Sequence, residues 1–283
     1  MKFAICNEIF QGWNLEATCS FVAKTGYDAI EIAPFTLAKS VTEIPAQKRR
    51  EIREIAKSNK LSISGIHWVL VGTEGLHLTH PEAVVRERTS DYFCDLVNFC
   101  ADLESERIII GSPKQRSLMV GVTSAQGWEW ATEAFRKPVE LAAERGVVLC
   151  LEPLAPSETN FINTAAEAIQ FVGQFQSSNF KIILDVKAMS SENISIPTII
   201  KNSWPNFAYF HANDANLKGP GFGEIDFVPI LSALEHAGYD GYVSVEVFKF
   251  DEGPEEIARR SLETLKQARE ASRSGSSNER SGR

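Results

Sequence analysis

Four residues able to bind a metal or carry a proton stand at or just past the ends of four apolar runs in the second half of the chain. Glu152 follows Val147-Val148-Leu149-Cys150-Leu151, Asp185 follows Ile182-Ile183-Leu184, His211 follows Phe207-Ala208-Tyr209-Phe210, and Glu246 follows Val243-Ser244-Val245. The steps from Glu152 to Asp185, from Asp185 to His211 and from His211 to Glu246 are 33, 26 and 35 residues, near the length of one strand, one helix and two loops. In a parallel barrel such strand ends open on one mouth. Three carboxylates and an imidazole converging there would suffer mutual repulsion unless a cation lay between them. An oxygen-rich set with one nitrogen suits manganese or magnesium, with cobalt as a substitute, whereas zinc more often recruits further His or Cys. The pattern predicts one divalent ion, manganese before the others, held by Glu152, Asp185, His211 and Glu246.

The elements that must position these residues are legible along the whole chain. Apolar runs of β type occur at Phe3–Cys6, Ala29–Ile32, Ile63–Ile66, Arg107–Ile110, Val147–Leu151, Lys181–Leu184, Phe207–Phe210 and Tyr242–Val245. Helical periodicity fills Leu15–Lys24, Gln47–Ser58, Pro81–Leu103, Thr123–Arg145, Thr164–Phe175, Phe227–His236 and Glu255–Arg269, with a poorer segment around Pro197. Pro138 predicts a kink in the fourth of these. Gly26, Gly146 and Gly238 follow helical patterns, where glycine takes the left-handed cap conformation at little cost. Strands alternating with helices demand a parallel sheet with right-handed crossovers. Eight such units in 283 residues fit an α/β fold of one domain, a (β/α)8 TIM barrel over residues 1–271. The competitor is an open doubly wound sheet, but the first strand runs into Cys6-Asn7-Glu8 rather than a Gly-x-Gly-x-x-Gly turn.

Composition narrows the partners. Hydrophobic residues make up 43 % of the chain, enough to fill a large core. The formal charge of −8 argues against a protein that tracks nucleic acid. No apolar run approaches the ~20 residues that cross a bilayer, so no membrane partner is expected. The five cysteines, Cys6, Cys19, Cys94, Cys100 and Cys150, form no Cys-x-x-Cys pair and read as reduced thiols of a cytoplasmic protein. Lys2, Asn7 and Glu8 interrupt any signal-peptide apolar region. Residues 272–283 lack apolar content and are expected to form a disordered polar tail.

Further candidates follow from placing chemistry at strand C-termini: Asn7, Glu31, His67 and Ser112 join the four donors. His67 at the end of the third strand could contact a substrate or be a core-edge histidine satisfied by hydrogen bonds. Lys114 and Arg116 follow the fourth strand and could hold a phosphate or carboxylate, or simply be solvated. Trp13 could wall a pocket. His77 and His80 sit in the long third loop, a position suited to a cover over the mouth.

Local strings carry a resemblance. Leu151-Glu152-Pro153-Leu154 with Glu158-Thr159-Asn160-Phe161-Ile162-Asn163-Thr164 resembles the fifth-strand motif of ketose 3-epimerases, members of the xylose-isomerase-like superfamily. Ile183-Leu184-Asp185 is similar to the sixth-strand motif, Phe210-His211-Ala212-Asn213-Asp214 with the loop Gly219–Phe227 to the seventh, and Gly238–Glu246 to the last unit. The resemblance implies a metal-dependent sugar isomerase or epimerase acting on a keto-sugar or related polyol. It implies that Glu152 and Glu246 flank the substrate carbon from opposite faces and exchange its proton through a metal-stabilised enediolate. It also assigns Glu158 to substrate contact and allows a homo-oligomer. Two positions depart from the pattern: Ala188 stands where the family has a substrate-holding histidine, with Lys187 before it, and Leu217 where it has an arginine, with Lys218 next. Both fall on substrate contacts, so the substrate is expected to differ while the metal set stays whole. The alternatives are a dehydratase or lyase using the same enediolate, a repair nuclease like endonuclease IV, and a binding barrel without catalysis. The nuclease would need more histidines than the five present.

Overall fold

The computed structural model describes residues 1–280. Its elements in chain order are β1 (Lys2–Cys6), α1 (Leu15–Thr25), β2 (Ala29–Ile32), α2 (Ala46–Ser58), β3 (Ser62–Ile66), α3 (Ala83–Asp102), β4 (Arg107–Ile110), α4 (Ser124–Arg145), β5 (Val148–Leu151), α5 (Ala165–Gly173), β6 (Phe180–Asp185), α6 (Val186–Met189), α7 (Ile196–Ser203), β7 (Phe207–Ala212), α8 (Phe227–His236), β8 (Tyr242–Val245) and α9 (Pro254–Arg280). The strands pair in parallel in sequence order, and β8 closes on β1 through Phe3 opposite Val243 and Ile5 opposite Val245. This is the closed (β/α)8 barrel that the alternation demanded, and it excludes the open sheet.

Helix boundaries follow local chemistry. The Asn14 side chain accepts from Ala17 N at the start of α1, and capping boxes at Thr123 and Thr164 open α4 and α5. Gly26 and Gly146 end α1 and α4 with φ of 101° and 67°. Pro138 lies inside α4, which continues through it as one helix. Pro81 precedes α3 by two residues instead of opening it, and the segment around Pro197 forms α7. The expected tail boundary at Ser272 falls within α9, where Ser272 is buried. Residues 281–283 of that expected tail lie outside the described residues.

Two cores result from the period-two alternation of strands. Outward residues such as Ile108, Ile110, Leu149, Leu151, Ile182 and Leu184 join the large cluster beneath the helices. Ile109, Cys150, Ile183 and Tyr209 form a small separate cluster that plugs the barrel interior. Two residues further along each strand direction lie Gly111, Glu152, Asp185 and His211, and the same parity leads from Ser244 to Glu246. The apolar plug therefore supports a polar layer directly above it.

Candidate metal centre and substrate cavity

One ligand atom from each of Glu152, Asp185, His211 and Glu246 lies within 4.8 Å of the others, and all four side chains are buried. His211 Nδ1 is 3.1 Å from Glu246 Oε2 and 4.0 Å from Asp185 Oδ2. His211 Nδ1 and Glu246 Oε2 nevertheless lack any partner in hydrogen-bonding geometry. Leaving a buried polar atom so costs roughly 1–3 kcal/mol. A cation at the point the four residues share would satisfy both atoms and offset most of the charge of three carboxylates, so the donor set fits a divalent ion.

Each donor is aimed by a neighbour. Asp185 Oδ1 accepts from Ala188 N at 2.8 Å, and its Oδ2 accepts from Asn213 Nδ2 at 2.6 Å. Trp68 Nε1 donates to Glu246 Oε1 at 2.7 Å. Glu152 occupies space that exists because residue 111 is glycine: a Cβ there would lie 2.4 Å from Glu152 Oε2. His211 Nε2 lies 3.1 and 3.2 Å from the two oxygens of Glu31. With Nε2–H donated to Glu31, the Nδ1 lone pair is left facing the three carboxylates.

Glu31 is itself held. Tyr209 Oη donates to Glu31 Oε2 at 2.8 Å, and His67 Nδ1 is 3.4 Å from Glu31 Oε1. His67 Nε2 is 3.0 Å from Glu8 Oε2. The order Glu246, His211, Glu31, His67, Glu8 is thus an alternating row of acids and imidazoles inside the barrel. Cys6 also approaches Glu31 and His211, and Glu8 and His67, within ligand distance. In those two groups each carboxylate already has an imidazole beside it.

Electrostatics separates the carboxylates of the metal-free protein. Burial, reinforced by Asp185 and Glu246, pushes Glu152 up to about 8. Burial also raises Asp185. Burial acts in the same direction on Glu246, yet the His211 imidazole outweighs it and holds this carboxyl below its ordinary value. Burial opposes charge on Glu31 too, but His211 and His67 hold it at about 2. His67 is driven up to about 9, with Glu8 and Glu31 overcoming the effect of burial.

A cavity of ≈ 510 Å³ reaches two of the donors, Glu152 and Glu246, with Trp68, Glu158, Lys187 and Phe248 also on its walls together with Ser112 and Lys114. Phe35, Trp68 and Phe248 stack at centroid spacings of 5.7 and 5.9 Å, giving the cavity an aromatic wall. A wider groove of ≈ 720 Å³ between α1 and α9 is bordered by surface charges such as Lys24, Glu255 and Lys266, and contains none of these residues.

The sequence-derived candidates separate clearly. Glu158, Lys187 and Lys114 line the cavity. Lys218 turns to pair with Glu252. Arg116 is fully buried and donates weakly to Ile162 O at 3.5 Å, and burial lowers its guanidinium to about 10. His67 lies beneath the cavity between Glu8 and Glu31. Trp13 packs edge-on against Phe10 and Phe21, away from the cavity walls. Asn7 joins strand ends, accepting from Ala33 N and donating to Thr36 Oγ1. His77 and His80 each accept a backbone N–H through Nδ1, from Thr79 and Glu82 respectively. Glu8 and Phe248 were not among the candidates. Glu8 could have been suspected from its place two residues past β1, whereas nothing local marks Phe248.

A family model described as xylose isomerase-like TIM barrel matches residues 19–268. The D-psicose 3-epimerase of Ruminiclostridium cellulolyticum is 29% identical over 231 residues, which are 80% of this chain and 76% of that protein. The 3-dehydro-D-guloside 4-epimerase of Escherichia coli is 23% identical over 273 residues, 94% of this chain and 99% of the relative. Among solved structures, a D-psicose 3-epimerase crystallised in the presence of D-fructose superposes with a TM-score of 0.83 at 24% identity, covering 95% of this chain and 99% of the other, a likeness of fold. Since the family model spans nearly all of the barrel, this chain belongs to the xylose isomerase-like TIM barrel family.

Proposed function

We propose that this protein is a sugar epimerase or isomerase, dependent on one divalent metal ion, that moves a proton on the carbon beside the carbonyl of a keto-sugar. The observation that carries this reading is the convergence of Glu152 and Glu246, from the ends of β5 and β8, on the point they share with Asp185 and His211. A proton shuttle needs one group ready to accept and another able to donate. Glu246, kept ionised by His211 and oriented by Trp68, is suited to take the carbon-bound proton. Glu152, whose proton affinity burial raises in the metal-free protein, is the partner suited to carry a proton and deliver it from the other side. In the reverse direction the roles exchange. Return to the opposite face of the same carbon gives an epimer, and return to the adjacent carbon gives an aldose–ketose shift.

Glu152, Asp185, His211 and Glu246 would hold the ion, manganese by the hardness of its donors, with magnesium or cobalt as substitutes. Its chemistry there would be Lewis-acid polarisation of the substrate carbonyl, which makes the neighbouring C–H acidic enough for a carboxylate. The aromatic wall excludes water from the reacting carbon and offers sugar C–H faces a surface. Kinship with epimerases that act on D-psicose and L-ribulose supports a ketose substrate. The test is turnover of D-psicose and related ketoses in deuterated water. Deuterium should enter the product at the reacting carbon, and product formed without any solvent deuterium would reject the proton shuttle.

A further inference from the structure

The geometry points to Lys187 as a specificity-determining residue, which with Glu158 forms a donor–acceptor clamp for one uncharged hydroxyl of the sugar. This inference rests on the epimerase reading and names what the substrate must present on the Glu152 side of the cavity.

Lys187 is fixed at both ends. Its backbone N–H donates to Asn213 Oδ1 at 2.8 Å, and Asn213 also holds the metal ligand Asp185. Its ammonium lies 2.8 Å from Glu158 Oε1 and 4.1 Å from the centroid of the Phe248 ring, with the side chain 9% exposed. Lys187, Glu158, Glu152 and Phe248 all line the same cavity. A lysine held on two sides by a carboxylate and an aromatic face is a positioned donor, unlike a solvated lysine that samples many rotamers.

The pair is incomplete in one respect. Glu158 Oε2 is buried without a hydrogen-bond partner. An ammonium has three N–H donors, and Glu158 Oε1 takes one. The cavity wall therefore presents an unused acceptor beside an unused donor. A hydroxyl satisfies both, because it accepts through its lone pairs and donates its proton. A phosphate or carboxylate would satisfy the donor only and would set its charge against Glu158. Lys187 is also already ion-paired with Glu158, so its ammonium is not a free charge offered to an anion.

Of the cations near Glu158, Lys187 is the one that reaches it on the cavity wall, whereas Arg116 is sealed in the interior. Ala188 supplies no polar atom beyond its backbone, and Lys218 is engaged by Glu252. Lys114, exposed at the rim, is the remaining cation on the cavity wall.

The experiment is calorimetric titration of the metal-loaded protein with D-psicose, its monodeoxy analogues and its phosphate monoesters. Wild type is compared with Lys187→Met, Glu158→Gln and the double variant. Thermal unfolding and metal content serve as controls for folding. Each single variant should weaken D-psicose binding about 10–100-fold, as for a hydrogen bond to a charged group. The double variant should be little weaker than either single one, since both residues hold one hydroxyl. One monodeoxy analogue should bind wild type as weakly as D-psicose binds Lys187→Met, and should be insensitive to that substitution. Equal losses on every analogue, additive losses in the double variant, tighter binding of a phosphate monoester, or no ketose binding by wild type would each overturn the clamp. Solvent deuterium exchange on the same samples separates the two ideas: binding that obeys the clamp without exchange would reject the epimerase reading and leave Lys187 in place.

Discussion

At the ends of β1, β2 and β3 the barrel places Glu8, Glu31 and His67, and at the ends of β5 to β8 it places Glu152, Asp185, His211 and Glu246. The residue types are the same, yet the balance is not. On the first side Glu8 faces His67, and Glu31 faces both His67 and His211, so each acid has an imidazole in ion-pair contact. On the second side three acids have only His211, which they share with Glu31, and two of the three have raised proton affinity. The first set pairs each acid with an imidazole and braces His211 from behind through Glu31. A set with surplus negative charge calls for a cation. The comparison shows that composition alone does not identify a metal site; what distinguishes it is charge left uncompensated at one point.

The largest effect expected from breaking this contrast is on the chemistry. Glu152→Gln and Glu246→Gln should each lower kcat about 10²–10⁴-fold, while Glu8→Gln leaves the chemical step nearly intact. Deuterium washout under single-turnover conditions reads this directly, and equal losses for all three would erase the distinction. Next comes the ion. Asp185→Asn and His211→Ala should weaken divalent-metal binding by more than about 100-fold, exceeding what loss of a supporting residue does. Elemental analysis after dialysis measures the occupancy, and unchanged metal content would remove the site. Glu31 lies between the halves, so Glu31→Gln should weaken the metal by about 10–100-fold, with activity returning at saturating ion. A chelator competition showing wild-type affinity would leave Glu31 a packing role only.

The smallest effect is the pH slope of metal affinity. Glu152 is pushed up to about 8 in the metal-free protein, and the ion favours its ionised form. Below that pH a proton competes with the metal, so affinity falls as pH falls, by about tenfold per unit for each proton released. His211, also raised, releases a further proton and steepens the dependence. Glu152→Gln should flatten the slope by one proton between pH 6 and 8; an identical slope would place the competing proton elsewhere.

Much of this is legible in the sequence. Apolar runs marked all eight strands, because a barrel strand is buried on both faces. The four donors stood out because each ended such a run, and period-two parity carried them to the interior. Lysine and arginine roles were not legible. Lys187, Lys218 and Arg116 are equally plausible substrate contacts in the sequence, yet one enters the cavity, one pairs with Glu252 and one is sealed in the interior. Long flexible side chains take their direction from partners brought together by the fold, such as Glu158 and Phe248 for Lys187. The alternating acid–imidazole row was hidden for the same reason, since its members come from β1, β2, β3, β7 and β8 and meet only on closure.

Trp68 gives the barrel a property beyond catalysis. The protein has five tryptophans, and Trp68 alone among them lines the cavity, its indole N–H on Glu246 and its ring between Phe35 and Phe248. Any event that changes the charge or orientation of Glu246 must alter the field along that indole. The emission of one native chromophore should therefore shift when ion or sugar arrives, giving a built-in optical gauge of occupancy that needs no label.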